Sequence, residues 1–142
     1  MRTVRQLLGA KTPEVHAVTP DAWVVDVIRL MAEKSVGAVL VMQGNHLAGI
    51  VSERDYARKI VLHGRSSSNT PVSEIMTATV ITVGPDDTVE HCMQVVTAHR
   101  IRHLPVVEAE AVVGVISIGD LVKAVIEDQQ LQLEQLQRYI AG

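Results

Sequence analysis

The chain has 142 residues, of which 47% are apolar and 2% aromatic, with no Phe and a formal net charge of −3. That length fits one compact unit, or two half-size ones acting as one, with a core built from Val, Ile, Leu, Met and Ala. The acidic balance, with a pI of about 6.0, argues against a non-specific nucleic-acid binder, which needs a basic footprint.

A lone cysteine, Cys92, excludes an internal disulfide and fits a reducing compartment. The opening residues MRTVRQLLGAKTPE lack the long apolar run of a secretory signal. The longest apolar stretches fall far short of a membrane span. The expectation is a soluble, cytoplasmic protein.

In chain order, VRQLL at 4–8 is a short element, followed by a β-rich run, EVHAV. Thr19-Pro20-Asp21 is a turn and helix start. Residues 22–34 then place Val24, Val27, Ile28 and Met31 at helical spacing. AVLVM at 38–42 is a strand, QGN at 43–45 a hairpin turn, and LAGIV at 47–51 the returning strand. Ser52 opens a helix running to about Leu62. HGRSSSNTP at 63–71 is a polar linker with strong breakers.

The order then recurs. VSEIM at 72–76 is a short element and TVITV a β-rich run. Asp86-Asp87-Thr88 starts a helix through about His99. His103 to Val107 is a strand made irregular by Pro105. Val112 to Ile116 returns, and Ser117 opens the last helix. In the tail, Ile126, Leu133 and Ile140 stand seven apart, with Val122 and Leu136 alongside. This reads as an amphipathic helix covering the core, or as a short dimer seam that Gln129 interrupts. The pattern is β-α-β-β-α twice, an α+β fold with helices to one side of the sheets.

The repetition is exact in register. Gly49 and Gly114, Ser52 and Ser117, and Asp55 and Asp120 all stand 65 residues apart. Neither copy is long enough to bury a good core alone, so the copies are expected to pack on each other. Each Ser-x-x-Asp is close to a capping box, with Ser as N-cap and the acid at the third helical position. A strand running into a helix N-terminus also offers free backbone N–H groups to a phosphate or hydroxyl-rich ligand. A carboxylate there can accept from two vicinal hydroxyls.

These motifs resemble a tandem pair of cystathionine-β-synthase-type (CBS) domains, a Bateman module. TPDAWVVDVIRLMAEKSVGAVLV with LAGIVSERD carries the first copy, and GPDDTVEHCMQVVTAHRIRHLPVV with VVGVISIGD the second. The resemblance implies two β-α-β-β-α repeats packed pseudo-symmetrically, sheets facing and helices outside. The division expected is residues 1–65, 66–127 and a helical extension over 128–142. It further implies binding of adenosine-containing ligands in two clefts between the copies. AMP is the first candidate, ADP, ATP or NAD(H) the others, with S-adenosylmethionine also bound in the family and no metal required.

By the same resemblance, Asp55 and Asp120 hold ribose, with Ser52 and Ser117 nearby. Val18-Thr19 and Thr82-Val83 frame the base. Arg102-His103 meets phosphate, where the first copy has Gly37-Ala38. Leu104, Pro105 and Ile116 complete the candidate set on the strands of the second copy. Arg54 adds charge in the first copy, opposite Gly119 in the second, so the clefts are expected to be unequal. Arg100, Arg58 and Lys59 are reserves, and solvated surface charge is the alternative for every Arg and Lys.

Other chemistry is weakly signalled. His91 and His99 lie eight apart on one helix and His103 beyond its end, which is not a metal-ligand pattern. Cys92 aligns with Val27 on a core face and reads as a buried, inert thiol. There is no nucleophile elbow or P-loop, and neither Ser has an obvious base. Trp23 stands where the second copy has Thr88. The reading is a stand-alone regulatory module, not an enzyme, that senses energy or redox state by binding an adenine nucleotide. It would act as a homodimer on a separate protein target, without nucleic acid or membrane. The alternative is an interaction scaffold with vestigial ligand sites.

Overall fold

A computed structural model describes residues 2–10 and 14–141 of the chain. It is mixed α+β and divides into two units, Glu14–Ile81 and the described residues of Met1–Pro13 with Thr82–Gly142. These compact units cut across the repeat division expected at 65/66. The N-terminal segment folds with the second repeat, and the segment after the linker folds with the first.

Backbone hydrogen bonds cause this exchange, and both units use the same set. In the Glu14–Ile81 unit, the N–H of Val24 donates to Thr70 at 2.9 Å, that of Val72 to Ala22 at 2.7 Å and that of Ser73 to Pro20 at 3.1 Å. In the other unit, Val89 donates to Arg2 at 3.0 Å, Val4 to Asp87 at 2.9 Å and Arg5 to Pro85 at 2.8 Å. Each short segment thus ties down the loop and first turn of the long helix in its unit. Unpaired backbone groups there would be costly once buried.

In the Glu14–Ile81 unit, β1 (Ala17–Val18) runs parallel to β2 (Ala38–Gln43), which pairs antiparallel with β3 (His46–Ser52). Helix α2 (Val24–Lys34) turns Val24, Val27 and Met31 inward, the spacing expected of one helical face. These residues pack with Val39, Val41, Val51, Ile60, Val72 and Ile75. Gly44, at φ 61°, makes the hairpin turn. Helix α3 (Glu53–Tyr56) follows Ser52 and widens at once into a π turn, Ala57–Val61.

In the other unit, α1 (Val4–Gly9) precedes α4 (Val89–His99), the hairpin of β4 (His103–Glu108) and β5 (Ala111–Ser117), and α5 (Ile118–Ala141). The β-rich run TVITV makes no strand; only Val83 bridges Val106. Pro105 explains this. Its counterpart Leu40 donates its N–H to His16 at 3.0 Å, a bond that proline cannot make. Val83 keeps the pairings on either side, donating to Pro105 at 3.1 Å and accepting from Val107 at 2.9 Å.

The repeated glycines serve packing. A Cβ on Gly49 would lie 2.6 Å from Met76 Sδ and 3.0 Å from the Thr77 carbonyl oxygen. On Gly114 it would lie 2.6 Å from Leu8 Cδ2. Both are places where the short segment crosses the hairpin.

The tail does not cover the core. Helix α5 buries Leu121 and Ala124 near its start, but every described residue from Gln129 onward is exposed, Leu133, Leu136 and Ile140 among them. Among the described residues, no helix is long and apolar enough to cross a membrane.

Candidate functional site

Both Ser-x-x-Asp turns form capping boxes. At Ser52, with φ −121° and ψ 166°, the chain leaves β3 in extended conformation. The Ser52 N–H donates to Asp55 Oδ2 at 2.9 Å, the Ser52 hydroxyl donates to the same oxygen at 3.1 Å, and the Asp55 N–H donates to Ser52 Oγ at 3.3 Å. In the second repeat, the Ser117 N–H donates to Asp120 Oδ2 at 2.9 Å and the Asp120 N–H to Ser117 Oγ at 3.2 Å. The boxes fix each carboxylate at a strand–helix junction, both half-buried.

The pair at the start of each hairpin, Gly37-Ala38 in one unit and Arg102-His103 in the other, is brought beside its box. The Glu53 N–H donates to the Gly37 carbonyl at 3.1 Å, and the Ile118 N–H to that of Arg102 at 2.8 Å. Ala38 sits opposite Ser52, and His103 opposite Ser117. Gly37, Ala38, Ser52 and Asp55 thus converge in one unit, and Arg102, His103, Ser117 and Asp120 in the other. Arg54 is exposed on the first turn of α3.

Other candidates lie elsewhere in their units. Val18 pairs with Val41 on the edge of β2 away from β3, so Val18 and Thr19 are separated from the box by the width of a strand. Val83 is buried against Val106, with Thr82 exposed beside it. Leu104, Pro105 and Ile116 are buried. Arg58 is exposed on the π turn. Arg100 ends α4 in the left-handed region at φ 55°, as Ser35 ends α2 at φ 54°.

Lys59 is engaged within its own unit. Its Nζ lies 3.1 Å from Asp55 Oδ1 and donates to the Ile75 carbonyl at 2.8 Å. Asp55 and Lys59 stand four apart, the spacing at which helical side chains meet. That spacing is legible in SERDYARK.

Cys92 is fully buried, and burial, with the charge of Asp87 adding, pushes its thiol up to about 11. That keeps it protonated and unreactive near neutral pH. Among the described residues, no three His, Cys, Asp or Glu side chains gather as a metal would require.

Comparison with known proteins places one repeat on either side of the 63–71 linker. The family model for the CBS domain matches residues 4–62 and 72–127. The mitochondrial CBS domain-containing protein CBSX3 of Arabidopsis thaliana is 43% identical over 129 residues, covering 87% of this chain and 63% of that protein. The chain therefore spans somewhat under two thirds of that relative. A CBS-domain protein from Burkholderia ambifaria MC40-6 has a solved structure with TM-score 0.87 and 53% identity, covering 90% of this chain and 96% of that one. The structure of CBSX2 in complex with AMP matches with TM-score 0.75 and 25% identity, over 91% of this chain and 99% of that one.

Proposed function

The chain belongs to the CBS-domain family, and from that premise we propose that it is a regulatory module that binds an adenine nucleotide through its two Ser-x-x-Asp turns. CBS-domain proteins are generally regulatory or signal-transduction modules rather than enzymes. The observation that carries the reading is the repeated carboxylate. In both repeats one oxygen is pinned by the N–H of the preceding Ser, at 2.9 Å in each case. A carboxylate so oriented suits the two hydroxyls of a ribose. The AMP complex of CBSX2 supports an adenosine ligand.

AMP is the first candidate, with ADP, ATP and NAD(H) next, and energy or redox state is the quantity sensed. Arg102 and His103 carry the charge that would meet phosphate beside Asp120. Binding shifts the equilibrium between conformations or assemblies only by differential affinity for them. A homodimer in the cytoplasm, read by a separate protein target, completes the proposal.

Thermal unfolding with AMP, ADP, ATP, NAD and NADH tests it. A ligand that binds only the folded state raises the melting temperature by mass action. One nucleotide should do so for the wild type and not for the variant carrying Asp55→Ala and Asp120→Ala. No shift with any of them at millimolar concentration would leave the two acids as caps, and the protein as an interaction scaffold.

A further inference from the structure

Resting on the nucleotide reading, we infer that Lys59 is a built-in competitor for the Asp55 carboxylate, so that a ligand at this turn must displace or share it. The geometry is explicit. Asp55 Oδ2 already accepts from the N–H and the hydroxyl of Ser52, at 2.9 and 3.1 Å. Oδ1 is engaged by Lys59 Nζ at 3.1 Å. A carboxylate offers about four acceptor positions. A vicinal diol approaching both oxygens therefore meets one fully used and one partly used by a cation.

A local irregularity keeps Lys59 at the surface, where the four-residue spacing brings it to Asp55. In the second repeat α5 continues as a regular helix and buries Leu121 and Ala124. Their counterparts are Tyr56 and Lys59, so an unbroken α-helix would carry Lys59 toward the core. Instead the backbone opens into a π turn, with the Leu62 N–H reaching back to Ala57 at 3.1 Å and that of Arg65 to Ile60 at 3.0 Å. The extra residue per turn rotates the face. Ile60 is 2% exposed and fills the core, while the Lys59 side chain stays 41% exposed and reaches Asp55. Such π turns recur where a helix must re-aim a side chain at a functional position. The Ile75 carbonyl, accepting from the same ammonium at 2.8 Å, holds it there.

Lys59 thereby acts through Asp55 as a residue that sets affinity, and not as a phosphate ligand. The two roles give opposite signs, which calorimetric titration can read. In an Asp120→Ala background, which isolates the Asp55 turn, Lys59→Met should tighten both adenosine and AMP by about fivefold. Lys59→Arg, which keeps the cation, should give a smaller change. With Asp55→Ala in place and Asp120 intact, Lys59→Met should leave the remaining binding unchanged, because nothing is left to compete for. A loss of AMP affinity with adenosine unchanged would overturn the inference and make Lys59 a phosphate contact. Unchanged affinity for both ligands would overturn it as well. If the wild type itself binds neither ligand, the nucleotide reading fails and the inference with it. Cooperative melting of each variant establishes that the fold is retained.

Discussion

In the first repeat the helix after the Ser-x-x-Asp turn widens into a π turn and stops; in the second it runs on as α5 for 24 residues. Around this difference the two repeats share one backbone scheme, down to the hydrogen bonds that bind each short segment to its long helix. They diverge where single side chains decide local geometry. Lys59 stands against Ala124, Leu40 against Pro105, Trp23 against Thr88, and the Gly44 turn against Ala109-Glu110. The comparison shows one backbone scheme kept while single side chains change around it. It also shows that the two carboxylates, alike in their caps, do not share the same surroundings.

The glycines offer the sharpest way to break the likeness. Gly49→Ala must push against the Thr77 backbone as well as Met76, whereas Gly114→Ala meets only the flexible end of Leu8. Urea unfolding should show Gly49→Ala losing about 2–3 kcal/mol and Gly114→Ala about 1 kcal/mol. Equal losses would mean that the two crossings are equivalent after all.

Cys92 against Val27 gives the next effect. The folded thiol is raised to about 11 by burial, assisted by Asp87. Its pKa is higher folded than unfolded, so its contribution is full below about pH 8.5 and is lost as pH rises toward the folded value. Stability should fall by about 2 kcal/mol between pH 8 and 10.5, and Cys92→Val should remove that part of the decline. Urea midpoints at the two pH values measure it.

Helix capping separates the repeats by less. Thr88 accepts from the His91 N–H at 3.1 Å, whereas Trp23 caps α2 with no side-chain hydrogen bond. Thr88→Ala should cost about 1 kcal/mol and Trp23→Thr should gain about 0.5–1 kcal/mol. An effect of similar small size is expected at the hairpins. Ala109 and Glu110 hold φ of 50° and 66°, where Asn-Gly is the favoured pair. Replacing them by Asn and Gly should raise stability by about 0.5–1 kcal/mol in thermal melts.

Much of this was legible in the chain. The short apolar runs over 38–42 and 47–51, the helical spacing of Val24, Val27 and Met31, and both capping boxes are local patterns with local causes. The 65-residue register carried them from one repeat to the other. The exchange of short segments was not legible, because it rests on backbone bonds such as Val4 to Asp87 that leave no side-chain signature. Pro105 was read as an irregularity in its own strand, yet it acts on the neighbouring run by withholding one N–H. The π turn is not legible because Lys59 and Ile60 compete for one inward position, and packing decides between them. The seven-residue spacing of Ile126, Leu133 and Ile140 leaves a covering helix and a dimer seam both open, because spacing alone does not supply a surface to cover.

The central claim is that the Ser-x-x-Asp carboxylates grip the two ribose hydroxyls of an adenine nucleotide. It is tested most directly by titrating the protein calorimetrically with AMP and with 2′-deoxy-AMP. Loss of one hydroxyl should weaken binding about tenfold, and the two ligands should become equal, and weak, when Asp55→Ala and Asp120→Ala are combined. Equal affinity of AMP and 2′-deoxy-AMP for the wild type would contradict the account.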